Sequence, residues 1–123
     1  MPGYKAARNE VRAAGIDEVL VYCVNDAAVM ENWAKDQKIA GSNITFFADT
    51  TCTLTKALDM VLDAPGPMRD LGNPRCKRFG LYVDNGIIKH VAVSESADDP
   101  AGDAPGANVN SAVSGMLEAI KGL

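Results

Sequence analysis

The apolar positions of this 123-residue chain change their spacing several times, and each change predicts an element of secondary structure. Between residues 4 and 14, and again after Asp26, apolar side chains recur every three or four positions, which is typical of helices that bury one face. Two β-rich apolar runs have the continuous character of buried strands. In chain order the pattern predicts a helix at 4–14, a strand at 18–24, a helix capped by Asn25 or Asp26 and ended by Gly41, and a strand at 44–48. A further helix then carries Leu54, Leu58 and Val61, with Asp49, Thr50 and Thr51 as its candidate caps.

A β-hairpin is the clearest signal in the second half of the chain. Segments 78–84 and 87–93 flank an Asn-Gly dipeptide, the pair preferred in two-residue type I′ turns. With a two-residue turn, His90 pairs across from Leu81. A lone histidine in the middle of a strand is more often solvent-facing or hydrogen-bonded than a ligand.

Loops and a final helix complete the pattern. Segments 63–67 and 94–107 are rich in proline and glycine and predict loops. The last helix ends at Gly122 and carries one apolar face, formed by Val113, Met116, Leu117 and Ile120.

The order of these elements predicts an α/β fold in a single domain over residues 1–123. Alternating helices and strands in the first half favour parallel strands with helices on both faces of the sheet.

The charge balance narrows the possible partners. Twelve Lys and Arg against sixteen Asp and Glu give a net charge of −4, so the chain has no field that gathers nucleic acid or anionic lipid. No run approaches the ~20 apolar residues that cross a membrane, and no signal-peptide pattern is visible at the start. We expect a soluble chain that binds neither nucleic acid nor membranes.

Three cysteines and one histidine are the candidates for metal or redox chemistry. Cys23, Cys52 and Cys76 lack CxxC spacing, and an odd number of cysteines with the single His90 argues against a zinc site, another metal site or a disulfide framework. We therefore expect free thiols in a reducing compartment, cytoplasmic or organellar, and no cofactor.

Cys76 is the best local candidate for a reactive thiol. In an extended segment it shares a face with Arg78, about 6.6 Å away between Cα atoms, and a nearby guanidinium favours the nucleophilic thiolate. The alternative is an ordinary cysteine beside an arginine that pairs with a carboxylate. Cys23 lies inside an apolar strand and favours a core role, whereas Cys52 starts a helix, where backbone N–H groups lower a thiol pKa.

Neighbouring charges add weaker possibilities. A basic cluster could hold a small anion or be simply solvated, and an acidic group in the 94–107 loop lacks the order of a calcium-binding loop. The basic residues are Arg69, Arg75, Lys77 and Arg78, and the acidic residues are Glu95, Asp98, Asp99 and Asp103.

Several sequence blocks, in one order and spread over nearly the whole chain, resemble the type II, or five-like, peroxiredoxins. They are P-G-Y at 2–4, G-I-D-E-V-L-V-Y-C-V-N-D at 15–26, V-M-x-x-W at 29–33, F-A-D at 47–49 and G-N-P-R-C-K-R-F at 72–79. The resemblance implies a thioredoxin-like fold and thiol-dependent reduction of hydrogen peroxide and alkyl hydroperoxides, with electrons from glutathione, glutaredoxin or thioredoxin. It also implies a homodimer, and it assigns Arg78 as the arginine that binds the peroxide beside the peroxidatic cysteine.

The chain departs from that family pattern at the nucleophile. The peroxidatic cysteine of the family stands in P-x-x-x-T-x-x-C, a few residues before the segment that resembles 2–4, and none of the three cysteines here has this context. Nor does the 94–107 loop hold the resolving cysteine of some members. We therefore expect a chain shortened at its N-terminal side, inactive or weakly active on its own. It would then be a non-catalytic dimerisation or binding module, or a fragment of a longer active enzyme.

The same departure affects the predicted sheet. In the family a central strand precedes the peroxidatic helix and lies between the strands that correspond to 18–24 and 78–84. Without it both strands lose a ladder partner, and unpaired buried backbone groups are costly. Direct pairing of the two strands, exchange with a second subunit, or upstream polypeptide would each fill the gap.

Overall fold

The computed structural model describes residues 2–63, 74–95, 99, 102, 106 and 108–123. The helices are α1 (Pro2–Ala6), α2 (Arg8–Ala13), α3 (Ala27–Gln37), α4 (Thr53–Ala57) and α5 (Val113–Lys121). The strands are β1 (Val19–Cys23), β2 (Ile44–Ala48), β3 (Val61–Leu62), β4 (Arg75–Cys76), β5 (Phe79–Asp84) and β6 (Ile87–Val93). None of the helices among these residues is long and apolar enough to cross a membrane.

The predicted parallel pair is confirmed. β1 and β2 run parallel in the register Val19↔Ile44 to Cys23↔Ala48. Helix α3 between them packs on β2, where the rings of Trp33 and Phe46 lie 4.5 Å apart. These contacts fix which side of the β1–β2 pair faces α3.

Helix α3 begins as predicted and ends earlier than predicted. The Asp26 carboxylate accepts a hydrogen bond from the backbone N–H of Val29 at 2.8 Å, which caps the first turn. The helix stops at Gln37 because Lys38 adopts a left-handed conformation with φ 54°. The predicted stop at Gly41 is therefore wrong by one turn.

The region after α4 differs most from the prediction. Val61, expected on a helix, lies in β3 and pairs antiparallel with Cys76 of β4. The backbone N–H of Lys77 donates to the Met60 carbonyl at 2.7 Å, whereas the Arg78 carbonyl accepts from the N–H of Ser94 at 2.8 Å. The segment expected to be continuously extended from Cys76 to Arg78 therefore pairs with the Met60 region up to residue 77 and with the Ser94 region from residue 78.

The hairpin is confirmed, with a correction to its register. Asn85 and Gly86 have φ of 52° and 80°, as a type I′ turn requires. Tyr82, not Leu81, lies opposite His90, because Lys89 is an extra residue that bulges out of β6 between paired positions.

Helix α5 packs on the hairpin and ends at Gly122 as predicted. Its Met116 is buried against β5, where a Cβ added to Gly80 would lie 2.8 Å from the Met116 sulfur. Gly80 is therefore the residue that lets the helix approach the strand.

Three two-stranded sheets, β1–β2, β3–β4 and β5–β6, are formed by the described strands. Within this part of the chain β1 and β5 share no ladder, so the direct pairing offered above as one way to fill the sheet does not occur. Most of the predicted loops at 63–67 and 94–107, together with Arg69, Asp98 and Asp103, lie outside the described residues.

Candidate thiol site

The cysteines lie at the ends of three different elements. Cys23 is the last residue of β1, Cys52 immediately precedes α4, and Cys76 is the last residue of β4; all three are free thiols. The Asp49 backbone links the first two, since its N–H donates to the Cys23 carbonyl at 2.9 Å and its carbonyl accepts from the N–H of Cys52 at 3.1 Å.

Strand β4 contacts the carboxyl end of β1 at Val24, the residue that follows that strand. The Arg75 guanidinium donates from Nη1 to the Val24 carbonyl, and the Val24 backbone N–H lies near enough to the Cys76 thiol to lower its pKa in part. The carboxyl end of β1 therefore has Asp49 on one side and β4 on the other.

A buried carboxylate organises this site. Asp49 accepts three hydrogen bonds, from the Thr55 hydroxyl at 2.7 Å, the Thr55 N–H at 2.8 Å and the Leu54 N–H at 3.1 Å. Burial would raise the pKa of Asp49, but these bonds outweigh it and hold that pKa below its usual value. Asp49, offered by the sequence as one of three helix caps, therefore serves α4 as an ionised cap.

Tyr22 connects the carboxylate network to the strands. Its hydroxyl lies 3.1 Å from the Thr55 hydroxyl, its ring stacks on Phe47 at 5.4 Å, and it meets the edge of Phe79 at 6.0 Å. Burial raises the pKa of Tyr22, and the nearby Cys76, Asp49 and Cys52 add to the effect. Tyr22 thus lies among α4, β2 and the start of β5.

Burial also makes two of the thiols weaker acids than an exposed cysteine. It raises the pKa of Cys76, the charges of Cys52 and Asp49 raise it further, and the Val24 N–H only partly offsets them. Burial raises the pKa of Cys23 as well, with Cys76 adding to the rise and Arg75 opposing it. Both thiols therefore stay largely protonated at neutral pH, and protonated thiols are poor nucleophiles.

The sequence-predicted pair, Cys76 and Arg78, occupies two environments. Cys76 is half-buried beside the end of β1, whereas Arg78 is exposed and lies where the chain changes partner. The Arg75 guanidinium is bonded within the thiol site, to the Val24 carbonyl. Lys77, from the same basic cluster, pairs with Glu95 at 3.3 Å.

The other two cysteines differ from their sequence interpretation. Cys23, expected in the core, is half-buried, whereas Cys52 is 4% exposed and left-handed, with φ 63°. Cys52 makes no side-chain capping bond to α4. Among the described residues, no three Cys, His, Asp or Glu side chains form a group that could hold a metal ion.

Comparison with known families identifies the scaffold around these thiols. Residues 1–108 match the Redoxin family. The chain belongs to that family. It is 28% identical over 120 residues to the chloroplastic Peroxiredoxin-2E-2 of Oryza sativa subsp. japonica and 32% identical over 120 residues to the chloroplastic Peroxiredoxin-2E of Arabidopsis thaliana, covering 98% of this chain in both cases. The predicted kinship with peroxiredoxins is confirmed.

Solved structures confirm the thioredoxin-like fold of this redoxin. Reduced Prx3 from Vibrio vulnificus, in complex with hydrogen peroxide, superposes with a TM-score of 0.76 at 29% identity, covering 98% of this chain and 65% of that one. The redoxin chain spans about half the length of the curated relatives it matches, 49% and 47% for the rice and Arabidopsis proteins.

Sequence reasoning missed two members of the redoxin's thiol site. From sequence, Arg75 is one of four basic residues that could hold a small anion or be solvated, and Thr55 carries no signal, although each contributes a bond that holds the site together. The one local signal was the polar run Asp49-Thr50-Thr51 directly after a buried strand, which marks a place where a following helix meets the sheet edge.

Proposed function

We propose that this chain is a peroxiredoxin-type redox protein whose own three thiols reduce peroxide poorly. The family reaction is thiol-dependent reduction of hydrogen peroxide and alkyl hydroperoxides. The observation that carries the proposal is the burial of Cys76, which raises its pKa instead of lowering it. A thiol whose pKa is raised by burial is mostly protonated at neutral pH and is therefore a poor nucleophile.

Arg78 is proposed as the residue that binds the peroxide in the complete site. A fixed guanidinium stabilises an attacking thiolate and the charge that develops on the departing oxygen. Its match to the arginine of the family's K-R-F block supports this role, and so does its exposed position at the start of β5. Glutathione, glutaredoxin or thioredoxin would supply the electrons, in a reducing cytoplasmic or organellar compartment.

The test is peroxide consumption by the purified chain, measured beside the Arabidopsis relative with the same reductant. We expect consumption slower by about two orders of magnitude, since burial raises the pKa of Cys76 and Cys23, and Cys52 is only 4% exposed. Rapid turnover that disappears in both Cys76→Ser and Arg78→Ala would overturn the proposal and establish Cys76 as the peroxidatic thiol.

The role of Arg78 needs a site that contains a fast nucleophile. Fusing the Arabidopsis P-x-x-x-T-x-x-C segment in front of residue 2 should increase peroxide consumption, and Arg78→Ala in the fusion should remove most of the gain. Arg12→Ala, on the exposed surface of α2, is the matched control. Equal losses from both substitutions would contradict the assignment to Arg78.

A non-catalytic dimerisation module is the second candidate, and the hairpin surface favours it. Val83, Ile88 and Val91 lie on one face of the hairpin and are each 47–50% exposed, and exposed apolar patches mark interaction surfaces. This function predicts a concentration-dependent dimer in analytical ultracentrifugation that persists when all three cysteines become serine.

The hairpin patch can be separated from general surface effects. Ile88→Lys should weaken the dimer at least tenfold, whereas Val29→Lys, at a residue of α3 that is 44% exposed, should not. A monomer at all concentrations, or loss of the dimer in the triple-serine variant, would count against this candidate.

A further inference from the structure

Strand β2 has an outer edge, the side away from β1, that no other described strand covers. The Val19 N–H donates to the Asn43 carbonyl, and the Asp49 N–H donates to the Cys23 carbonyl. The bonds of this parallel ladder therefore use the odd-numbered positions of β2 and its flanks, and the backbone groups of the even-numbered positions point outward. The outward-pointing residues are Ile44, Phe46 and Ala48.

A groove between α3 and β2 leaves this edge open. It is lined by Ala34 of α3 and by both Phe46 and Phe47 of β2. Because Phe46 and Phe47 point to opposite faces of the strand, a groove that touches both extends along the backbone of the outer edge. Strand β2 also has no charged residue, proline or bulge, the usual devices that block an edge. The edge can therefore accept another strand.

We propose that this strand is the β2 of a second copy of the chain, paired antiparallel around a two-fold axis at Phe46. The contact is self-complementary, because each copy brings the same donors and acceptors. Phe46 exchanges both backbone bonds with its equivalent, and each Ala48 N–H donates to the Ile44 carbonyl of the other copy. The Ile44 N–H keeps its existing bond to the Ser42 hydroxyl, at 3.2 Å.

Charges on α3 are complementary in this arrangement. The rings of Trp33 and Phe46 lie 4.5 Å apart, which sets Trp33 about level with the axis. As the crossover between two parallel strands, α3 runs antiparallel to β2, and the two-fold axis reverses its copy. Residues equally far before and after Trp33 are therefore level in the two helices. Glu31 of one copy is level with Lys35 of the other, and both side chains are exposed.

The neighbouring registers bring like charges together. Moving the axis by one residue of β2 is a shift of about 3.3 Å, which is about two residues of α3 at about 1.5 Å each. An axis at Phe47 sets Glu31 level with its own equivalent, and an axis at Thr45 does the same for Lys35. Of these three registers, the one centred on Phe46 is the one that sets opposite charges together, so the helix and the strand edge favour the same alignment.

The experiment separates this contact from the hairpin patch and from peroxide reduction. The full chain carrying Ile88→Lys, with its thiols kept reduced, is examined by analytical ultracentrifugation up to its highest soluble concentration. We expect a weak, concentration-dependent dimer, because small contacts give transient association. A monomer at every concentration would overturn the proposal and leave the hairpin patch as the interface.

Ala48 offers a matched pair of substitutions in the same background. Ala48→Pro removes an outward N–H and leaves the ladder to β1 untouched, since proline is tolerated where the N–H of an edge strand faces outward. It should weaken the dimer at least tenfold, whereas Ala48→Ser keeps the N–H and should not. Equal dimer strength in the two variants would overturn the proposed pairing.

Charge exchange on α3 tests the register even if Ala48→Pro fails to fold. Glu31→Lys and Lys35→Glu should each weaken their own dimer, whereas an equimolar mixture should favour the heterodimer in native mass spectrometry. Each of these chains has like charges within its own helix, so pairing inside one copy does not produce that preference. A mixture of Glu118→Lys and Lys121→Glu, at exposed residues of α5, has the same net charges and is the control. Equal heterodimer fractions in the two mixtures would overturn the proposal.

Discussion

The Asp49 carboxylate shows how a single buried charge is kept in this fold. Removing a carboxylate from water is costly unless hydrogen bonds replace its hydration. Thr55 and Leu54 provide those bonds and lower the pKa of Asp49. The charge therefore stabilises the folded state wherever the unfolded carboxyl is also ionised.

Substitution of Asp49 by Asn should destabilise the chain by about 1–3 kcal/mol at neutral pH, because a buried charge-assisted network is lost. A lowered pKa contributes stability that is present above the unfolded value of about 3.9 and is lost as pH falls towards the folded value. Wild-type stability should thus decline on acidification more steeply than that of Asp49→Asn.

Urea unfolding across the acid range measures this difference. Asp36→Asn, on the exposed surface of α3, is the control and should keep the wild-type slope. Parallel acid profiles for wild type and Asp49→Asn would show that the carboxylate contributes nothing through its ionisation.

Cys76 should alkylate slowly at neutral pH and faster as pH rises, because burial raises its pKa and the thiolate is the reactive form. Position-resolved mass spectrometry after short exposure to iodoacetamide gives its rate relative to free glutathione. We expect a rate below that of glutathione at neutral pH. A faster rate would indicate an activated thiol and contradict the account of the site.

Among the elements, the hairpin turn depends most directly on local sequence. A Cβ added to Gly86 would meet no atom within 4 Å, so the cost of a side chain there comes from its φ of 80° alone. Gly86→Ala should destabilise the chain by about 1 kcal/mol. Asn85→Gly, at φ 52°, should be close to neutral in the same thermal unfolding assay. Equal effects from both changes would argue against backbone strain.

The elements that sequence reasoning predicted have strong local signals, and those it missed do not. The β1–β2 pair and the β5–β6 hairpin are specified by apolar runs and an Asn-Gly turn. Strands β3 and β4 are two residues each, too short for a period, and they exist because residues 61–62 and 75–76 meet across a long separation. The bulge at Lys89 is likewise a tertiary feature.

At the scale of the whole molecule, the candidate site also depends on contacts between residues far apart in the chain, which local sequence patterns do not reveal. Sequence identified Cys76 and Arg78 from their spacing, and the family resemblance was right about the scaffold. It could not show that Arg75 binds the Val24 carbonyl, or that the Tyr22 hydroxyl meets Thr55, since these partners are separated by 33 or more positions along the chain. The chemistry of the thiols is decided by those distant contacts.

A polar network joins the two ends of the chain to the hairpin. Ser94, which is 1% exposed, shares hydrogen bonds of 2.6 Å with Asn110 and Ser111, and the Tyr4 hydroxyl donates to the Ser111 carbonyl at 2.7 Å. The Asn110 amide also donates to the Val93 carbonyl at 2.9 Å. Helix α1, the start of α5 and the end of β6 are therefore held together by one set of hydrogen bonds.

Tyr4→Phe tests whether this network stabilises the whole fold. Loss of the hydroxyl should cost about 1 kcal/mol and leave the Ser111 carbonyl without that donor. Burial raises the pKa of Tyr4 to about 12. Between the unfolded value near 10 and that value only the unfolded tyrosine ionises, so wild-type stability falls as pH rises through this window. Tyr4→Phe should lack that part of the alkaline decline.

Denaturant unfolding from neutral to strongly alkaline pH distinguishes the two effects, with Tyr82→Phe on the half-buried hairpin face as control. The stability curves of wild type and Tyr4→Phe should converge as pH approaches 12, because the unfolded wild-type chain is then stabilised by ionisation of Tyr4, which burial prevents in the folded chain. Hydrogen exchange should show faster opening of both α1 and α5 in Tyr4→Phe, since one bond joins them. Faster exchange in α1 alone would mean that the chain ends unfold independently, in which case the network organises the C-terminal region without coupling it to the N-terminus.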